Sequence, residues 1–234
     1  MLEVRDIHAY YGVSHVIQGV SLEVQRGEII TLIGRNGAGK TTTLKSILGI
    51  VPPKSGAILF EGREITRWPT HLIVQRGIAY VPEERRIIPN LTVEENLRLG
   101  MLKNRDRSKN RALLDKTFDY FPRLKERLRQ RGNSLSGGEQ QMLAMARALV
   151  SDPAIMLIDE PTEGLMPSMV GQIARILAEM NRDGVTILLV EQNVEMALSI
   201  STHGYVIDQG TIQYRGSAKD LEANKEIQQR YLGV

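Results

Sequence analysis

The chain has 234 residues, of which 42% are apolar and 24% charged, a balance that excludes a disordered polyelectrolyte and suits one large globular domain or a core with a smaller subdomain. There is no cysteine, so a disulfide framework, a Cys-ligated zinc site and a catalytic thiol are all excluded, and a reducing compartment fits. The net charge of +3 is uneven, because residues 102–131 carry eleven Lys/Arg against four Asp/Glu; such a block suits nucleic acid, an anionic membrane surface or a solvated helical face.

In chain order, Leu2–Ala9 and Val16–Val24 alternate apolar and polar residues as strands do. Glu28–Ile33 is mostly apolar and runs into a Gly-rich loop, after which Thr41–Ile50 reads as a helix. Gly56–Ile65 reads as a hairpin turning at Glu61-Gly62, and Gly77–Val81 as a buried strand stopped by Pro82. From Glu83 to about Ser134 strand signals vanish. Thr92-Val93-Glu94-Glu95 is a capping box that opens a helix to about Met101, and Lys109–Tyr120 is a second charged amphipathic segment that Pro122 breaks. Helix and strand then alternate: helix Ser136–Val150, strand Ala154–Asp159, helix Met169–Asn181 and strand Thr186–Val190. A hairpin of Tyr205–Asp208 with Thr211–Tyr214 and a helix Asp220–Leu232 close the chain. This alternation predicts an α/β fold with a largely parallel sheet. Residues 1–82 and 150–234 form its core, and 83–149 an inserted helical subdomain. The most apolar runs are five or six residues, against about 20 for a membrane span, and the N-terminus lacks a signal-peptide profile.

Gly34-Arg35-Asn36-Gly37-Ala38-Gly39-Lys40-Thr41 matches the phosphate-loop pattern G-x-x-x-x-G-K-[ST] in full, between an apolar strand and a helix. The glycines let consecutive backbone N–H groups form an anion nest, and the helix adds its positive end. Lys40 supplies a point charge to β- and γ-phosphates, and Thr41, followed by Thr42, a hydroxyl suited to Mg²⁺. The strand Ile155–Ile158 ends in Asp159-Glu160. At the carboxyl edge of an open α/β sheet, Asp159 is expected to hold Mg²⁺ and Glu160 to polarise a water for in-line attack on the γ-phosphate.

Between these two motifs lies Leu135-Ser136-Gly137-Gly138-Glu139-Gln140, which resembles the LSGGQ signature of ATP-binding-cassette (ABC) ATPases with Glu139 where Gln is usual. Ser136 and Glu139 also form a capping box, predicting a helix end with a free hydroxyl and N–H groups that bind an anion. The resemblance covers nearly the whole chain. It implies a P-loop NTPase (RecA-like) core with an antiparallel β subdomain and an inserted helical one. It also implies ATP and Mg²⁺ as ligands, Tyr11 stacked on adenine with Val16 beside it, and Ser136, Gly137 and Gly138 closing on ATP held by a second subunit. Three positions depart from the family pattern: Glu83 stands where Gln is usual, Met166 where Asp is usual, and Gln192 at the switch where His is usual. Glu83 can still reach Mg²⁺ and water, whereas Gln192 can donate a hydrogen bond but cannot titrate.

The run Val81–Leu97 is similar to that of the shorter (LivF-type) ATPase of branched-chain amino acid importers, and Val190-Glu191-Gln192-Asn193 fits too. That likeness implies a peripheral ATPase on the cytoplasmic face of a membrane. Transmembrane permease subunits are expected to dock on the Glu83–Leu97 region, where Ile87, Ile88, Pro89 and Leu91 form an apolar cluster. The same likeness implies a second ATPase subunit, either the same chain or a paralogue, and an extracytoplasmic solute-binding protein that acts indirectly. Related urea or amide importers, other ABC transporters and non-transport ABC ATPases are the alternatives. Nucleic acid is not expected: Phe118, Tyr120 and Phe121 are spaced for helix packing rather than base stacking. In this setting the basic block faces water or lies near anionic headgroups.

Overall fold

Both faces of the larger sheet are apolar, and strict alternation along each strand assigns every side chain to one of them. In the computed structural model, which describes residues 1–84, 86–104 and 106–233, β1 (Leu2–Tyr11), β2 (Ser14–Val24), β4 (Ser55–Phe60) and the two-residue β5 (Arg63–Glu64) form an antiparallel sheet in the order β2-β1-β4-β5. A six-stranded sheet has the order β10-β9-β3-β8-β7-β6. It comprises β3 (Ile29–Ile33), β6 (Ile78–Val81), β7 (Ile155–Asp159), β8 (Thr186–Glu191), β9 (His203–Asp208) and β10 (Thr211–Ser217). Its strands pair in parallel, except for β10 on β9.

On one face, Ile30, Leu32, Ile155, Leu157, Leu188 and Val190 pack with the antiparallel sheet and with Leu44 and Ile47 of α1 (Lys40–Ile47). On the other, Ile29, Ile33, Met156, Ile158, Ile187 and Leu189 pack with α6 (Gly137–Leu149) and α7 (Pro167–Arg182). A period of two, buried on both sides, is the pattern of a covered parallel sheet. It also fixes the strand ends. Asp159 continues the Ile155–Leu157 face, toward α1, whereas Glu191 continues the Ile187–Leu189 face, toward α7.

The segment after β6 is helical as expected: α3 (Val93–Gly100), α4 (Arg107–Tyr120), α5 (Pro122–Glu126) and α6, with α3 packed on α6. Its apolar residues join one continuous cluster with the Ile29–Ile33 face of the parallel sheet. The Thr92–Glu95 capping box forms as read, with the Glu95 amide donating to Thr92 Oγ1 at 3.2 Å and Glu95 Oε2 accepting the Thr92 amide at 2.7 Å. Pro122 does more than break a helix, because it opens α5 at the first helical position, where its missing N–H costs nothing. Two helices were illegible: α2 (Thr70–Gln75), a short exposed turn, and α8 (Val194–Ile200), which follows an Asn193 cap. The expected helix to Leu232 is divided. It consists of α9 (Ala218–Ala223), a break at Asn224 and a last stretch from Lys225 to Leu232. Among the described residues no helix is long and apolar enough to cross a membrane.

Candidate functional site

The loop between β3 and α1 wraps around the ammonium group of Lys40. Gly37 and Gly39 have φ of 79° and 111°, a region that L side chains rarely enter, so the backbone requires glycine at these two positions. A Cβ at Gly39 would also meet Ile17 Cδ1 at 2.8 Å. Lys40 Nζ donates to the Gly34 carbonyl at 2.8 Å and the Arg35 carbonyl at 3.0 Å, and lies 3.0 Å from Glu160 Oε1. Both side chains of this ion pair are nearly buried, at 3% and 8% exposure. Glu160 reaches the loop because its own φ is 42°, a left-handed turn immediately after β7 that is uncommon outside glycine and a form of strain found at functional sites.

Asp159, fully buried, accepts the Thr41 hydroxyl at Oδ1 (3.0 Å) and the Tyr80 hydroxyl at Oδ2 (2.9 Å). Burial pushes its carboxyl above the usual range; the two hydroxyls pull it back, and Glu160 pushes it further up. Burial, followed by Asp159 itself, also raises the Tyr80 phenol. Sequence reasoning missed Tyr80. The available signal was a tyrosine in a buried strand, whose hydroxyl must find a partner, on the same face as Asp159 one strand away.

Asn36, Gly37, Gly39, Lys40, Thr41 and Thr42 line a cavity of about 330 Å³ together with Val16, Glu83, Glu160 and Glu163. Tyr11, 48% exposed, lines an adjoining cavity of about 360 Å³ with Thr41, Tyr80, Glu83 and Asp159. Gly34 and Ala38 belong to the backbone of the loop; Arg35 supplies a carbonyl to Lys40 and turns its guanidinium outward to the Arg230 carbonyl at 3.4 Å. Glu83 is exposed and common to both cavities. Burial, then Glu160, Asp159 and Glu163, raises its carboxyl. The Thr41 hydroxyl, the Asp159 carboxylate and the neighbouring acids are hard oxygen donors opposite an anion nest, a set that fits Mg²⁺ bound jointly with phosphate oxygens. Among the described residues no three His, Asp or Glu side chains converge to hold a metal unaided.

Two expected members lie elsewhere. Gln192 is exposed and lines a separate cavity of about 760 Å³ with Thr162, Glu163 and Glu191, rather than the phosphate cavity. Ser136, Gly137 and Gly138 line neither cavity that Thr41 lines; they open α6 on the helical segment. The capping box at Ser136 is present, but its hydroxyl is not free: it donates to Glu139 Oε2 at 2.9 Å, which also accepts the Ser136 amide at 2.9 Å. Glu139 is buried, and Arg127 Nε lies 3.1 Å from its other oxygen. Burial raises this carboxyl, but the Ser136 donors and Arg127 outweigh it and hold it below the usual range. Gly138 has a packing reason of its own, since a Cβ there would strike Met169 of α7.

The apolar groove also lies to one side of the expected segment. A groove of about 460 Å³ is lined by Val74, Tyr80, Leu99, Leu102 and Arg147, and by none of the described residues of 83–97. Ile87 packs partly onto the helical core, while Ile88 is 42% exposed. Asn96, fully buried, holds the loop in place by accepting the Ile88 amide at 2.8 Å and donating to the carbonyls of Ile88, Leu91 and Thr92. The basic block is partly neutralised within the chain: Lys109 meets Asp152 at 2.7 Å, Lys116 meets Asp183 at 3.8 Å and Arg127 meets Glu139.

Residues 17–163 match the family model described as ABC transporter. The high-affinity branched-chain amino acid transport ATP-binding protein BraG of Pseudomonas aeruginosa is 44% identical over 233 residues, covering 100% of both chains. A probable branched-chain amino acid transport ATP-binding protein, LivF of Archaeoglobus fulgidus, is 37% identical over 100% of this chain and 99% of its own. A solved ATP binding subunit of an ABC transporter superposes with a TM-score of 0.85 at 29% identity, covering 100% of this chain and 96% of that one.

Proposed function

This chain belongs to the ABC transporter family, as an ATP-binding and ATP-hydrolysing subunit, and on that premise we propose that it powers a membrane importer of branched-chain amino acids. The observation that carries the chemistry is the position of Lys40 between the phosphate-loop carbonyls and Glu160, with Thr41 and Asp159 paired beside it. The observation that supports the solute is full-length similarity to two relatives named for branched-chain amino acid transport.

In this reading the nest of residues 34–42 binds the phosphates of ATP, and Tyr11 and Val16 take the adenine side. Lys40 moves its charge from the loop carbonyls to the β- and γ-phosphates. That leaves Glu160, 3.0 Å away, beside the reacting phosphoryl group to accept a proton from the attacking water. Thr41 and Asp159, with Glu83 nearby, would hold Mg²⁺, which when bound would add positive charge beside the phosphates. Ser136, Gly137 and Gly138 of a second subunit, the same chain or a paralogue, complete the site with the positive end of α6, whose Ser136 hydroxyl must leave Glu139 to reach a phosphate. Gln192 donates a hydrogen bond to the γ-phosphate after its side chain turns from its own cavity. The transmembrane permease subunits dock from the cytoplasmic side at the groove of Leu99, Leu102 and Arg147 and on the Glu83–Leu97 region, whose Arg86 carbonyl accepts from Arg147. An extracytoplasmic binding protein selects the solute, which never touches this chain.

Purified with its permease subunits in vesicles, the protein is expected to hydrolyse ATP faster when leucine, isoleucine or valine is presented with the binding protein. Stimulation by urea or short amides instead would reassign the solute and leave the ATPase assignment standing.

A further inference from the structure

Glu191 ends β8 as a buried carboxylate, 2% exposed, on the face opposite Asp159. Its Oε1 accepts the Thr162 amide at 3.1 Å and the Thr162 hydroxyl at 2.7 Å. Its Oε2 accepts the amides of Gln192 at 3.1 Å and Asn193 at 3.2 Å. Four donors thus occupy one carboxylate, two to each oxygen. They come from two loops that run side by side at the sheet edge: the turn carrying Gln192, and the loop from Thr162 to Met166.

Each oxygen serves one loop. Neither loop can shift by an ångström without breaking a buried, charge-assisted hydrogen bond or carrying the carboxylate, and with it the other loop, along. The two loops wall the same cavity of about 760 Å³, lined by Thr162, Glu163, Leu165, Gln192 and Met196, which leaves them room to move together. Glu163 also lines the phosphate cavity, and Met166, 70% exposed, stands at the far end of the same loop.

We propose that Glu191 is a positioning residue that couples the turn of Gln192 to the loop Thr162–Met166, so that a contact between Gln192 and nucleotide is transmitted to the surface this loop offers a second subunit. The inference rests on ATP binding at the phosphate loop, and its test separates the two. A glutamine at this position has a single acceptor oxygen. Glu191→Gln therefore leaves the amides of one loop unpaired or faced by an NH₂ group and uncouples the loops, without touching the nucleotide. Thr162→Val removes only the hydroxyl bond, and Thr162→Ser restores it.

Amide hydrogen exchange on the full chain, in a Glu160→Gln background that keeps ATP intact, reads both ends of the link. With ATP, the parent slows exchange at residues 34–42 and at 161–166. In Glu191→Gln the slowing at 34–42 stays within about twofold of the parent, while that at 161–166 falls about tenfold, the scale of a lost hydrogen bond to a charged group. Thr162→Val gives a smaller loss at 161–166, and Thr162→Ser gives none. Undiminished slowing at 161–166 in both Glu191→Gln and Thr162→Val overturns the coupling. So does a general rise in exchange with protection lost at 34–42, which marks a merely structural residue. A parent that shows no ATP-dependent slowing at 34–42 refutes the ATP site itself, and the coupling with it.

Discussion

Lys40 Nζ lies 3.0 Å from Glu160 Oε1, so the cation proposed to meet the phosphates and the carboxylate proposed to activate water form one nearly buried pair. The pair explains why the left-handed backbone at Glu160 is kept: the turn is what points the carboxylate at the phosphate loop instead of along the strand. Glu160→Gln is expected to preserve ATP binding and to lower hydrolysis by about 10²–10⁴-fold, the range for loss of a general base. Nucleotide-binding titrations and single-turnover assays on the same preparation check it; turnover close to wild type would assign the carboxylate a packing role only.

Tyr80 meets Asp159 at 2.9 Å on the oxygen that Thr41 does not use. A hydroxyl that orients a metal-binding carboxylate tunes metal affinity more than substrate affinity. Tyr80→Phe is expected to raise the Mg²⁺ concentration for half-maximal ATPase activity about tenfold. ATP affinity in the absence of Mg²⁺ is expected to be unchanged. An unchanged Mg²⁺ dependence would reduce the contact to core packing.

Gln192 lines the cavity beside Thr162 rather than the phosphate cavity, and so acts only if its side chain reaches nucleotide. Gln192→Ala is expected to slow hydrolysis by about tenfold, the cost of one hydrogen bond to a charged group, and Gln192→His to retain ATP binding. Since glutamine does not titrate, the wild-type rate should show no inflection from this position near pH 6.5, whereas the His variant should acquire one. Steady-state rates from pH 5.5 to 8.5 compare the two.

Much of this site was legible because its chemistry is contiguous in the chain. The run Gly34–Thr41 carries its glycines, lysine and hydroxyl in one unbroken stretch, and Asp159-Glu160 follows an apolar run whose burial fixes its direction. What could not be read depends on neighbours distant in sequence. Tyr80 and Asp159 are 79 positions apart and meet only because β6 and β7 pair. Glu191 and Thr162 are 29 apart and join two loops. The position of Gln192 was legible, but not the direction of its side chain, because a turn fixes the backbone and leaves the rotamer to its surroundings. Likewise the apolar cluster at Ile87–Leu91 was visible, but the groove opens beside Leu99 and Arg147, where three elements meet.

The Ser136 capping box makes stability depend on pH. The folded Glu139 carboxyl is held below its unfolded value, since the Ser136 donors and Arg127 outweigh the cost of burial. A depressed carboxylate contributes stability that is present above the unfolded pKa and lost as pH falls through the folded one. Glu139→Ala is therefore expected to lower stability at pH 7 by about 1 kcal/mol, or roughly 3 °C in Tm. The gap should narrow on acidification from about pH 5 toward pH 3. Thermal unfolding of both proteins across that range measures it, and a constant gap would show that the loss is one of packing.

In the proposed mechanism a second subunit completes the site of ATP hydrolysis, and a mixed-subunit assay probes that dependence. One copy carries Glu160→Gln with an intact Ser136 helix end, the other carries an intact Glu160 with Ser136→Glu, and each is inactive alone. Mixed, they leave one composite site impaired twice and the other intact. The prediction is restored ATP turnover in the mixture, approaching about half the wild-type rate per mixed dimer, and so about a quarter per dimer when equal amounts pair at random. Full activity of the Ser136→Glu chain by itself would contradict the account.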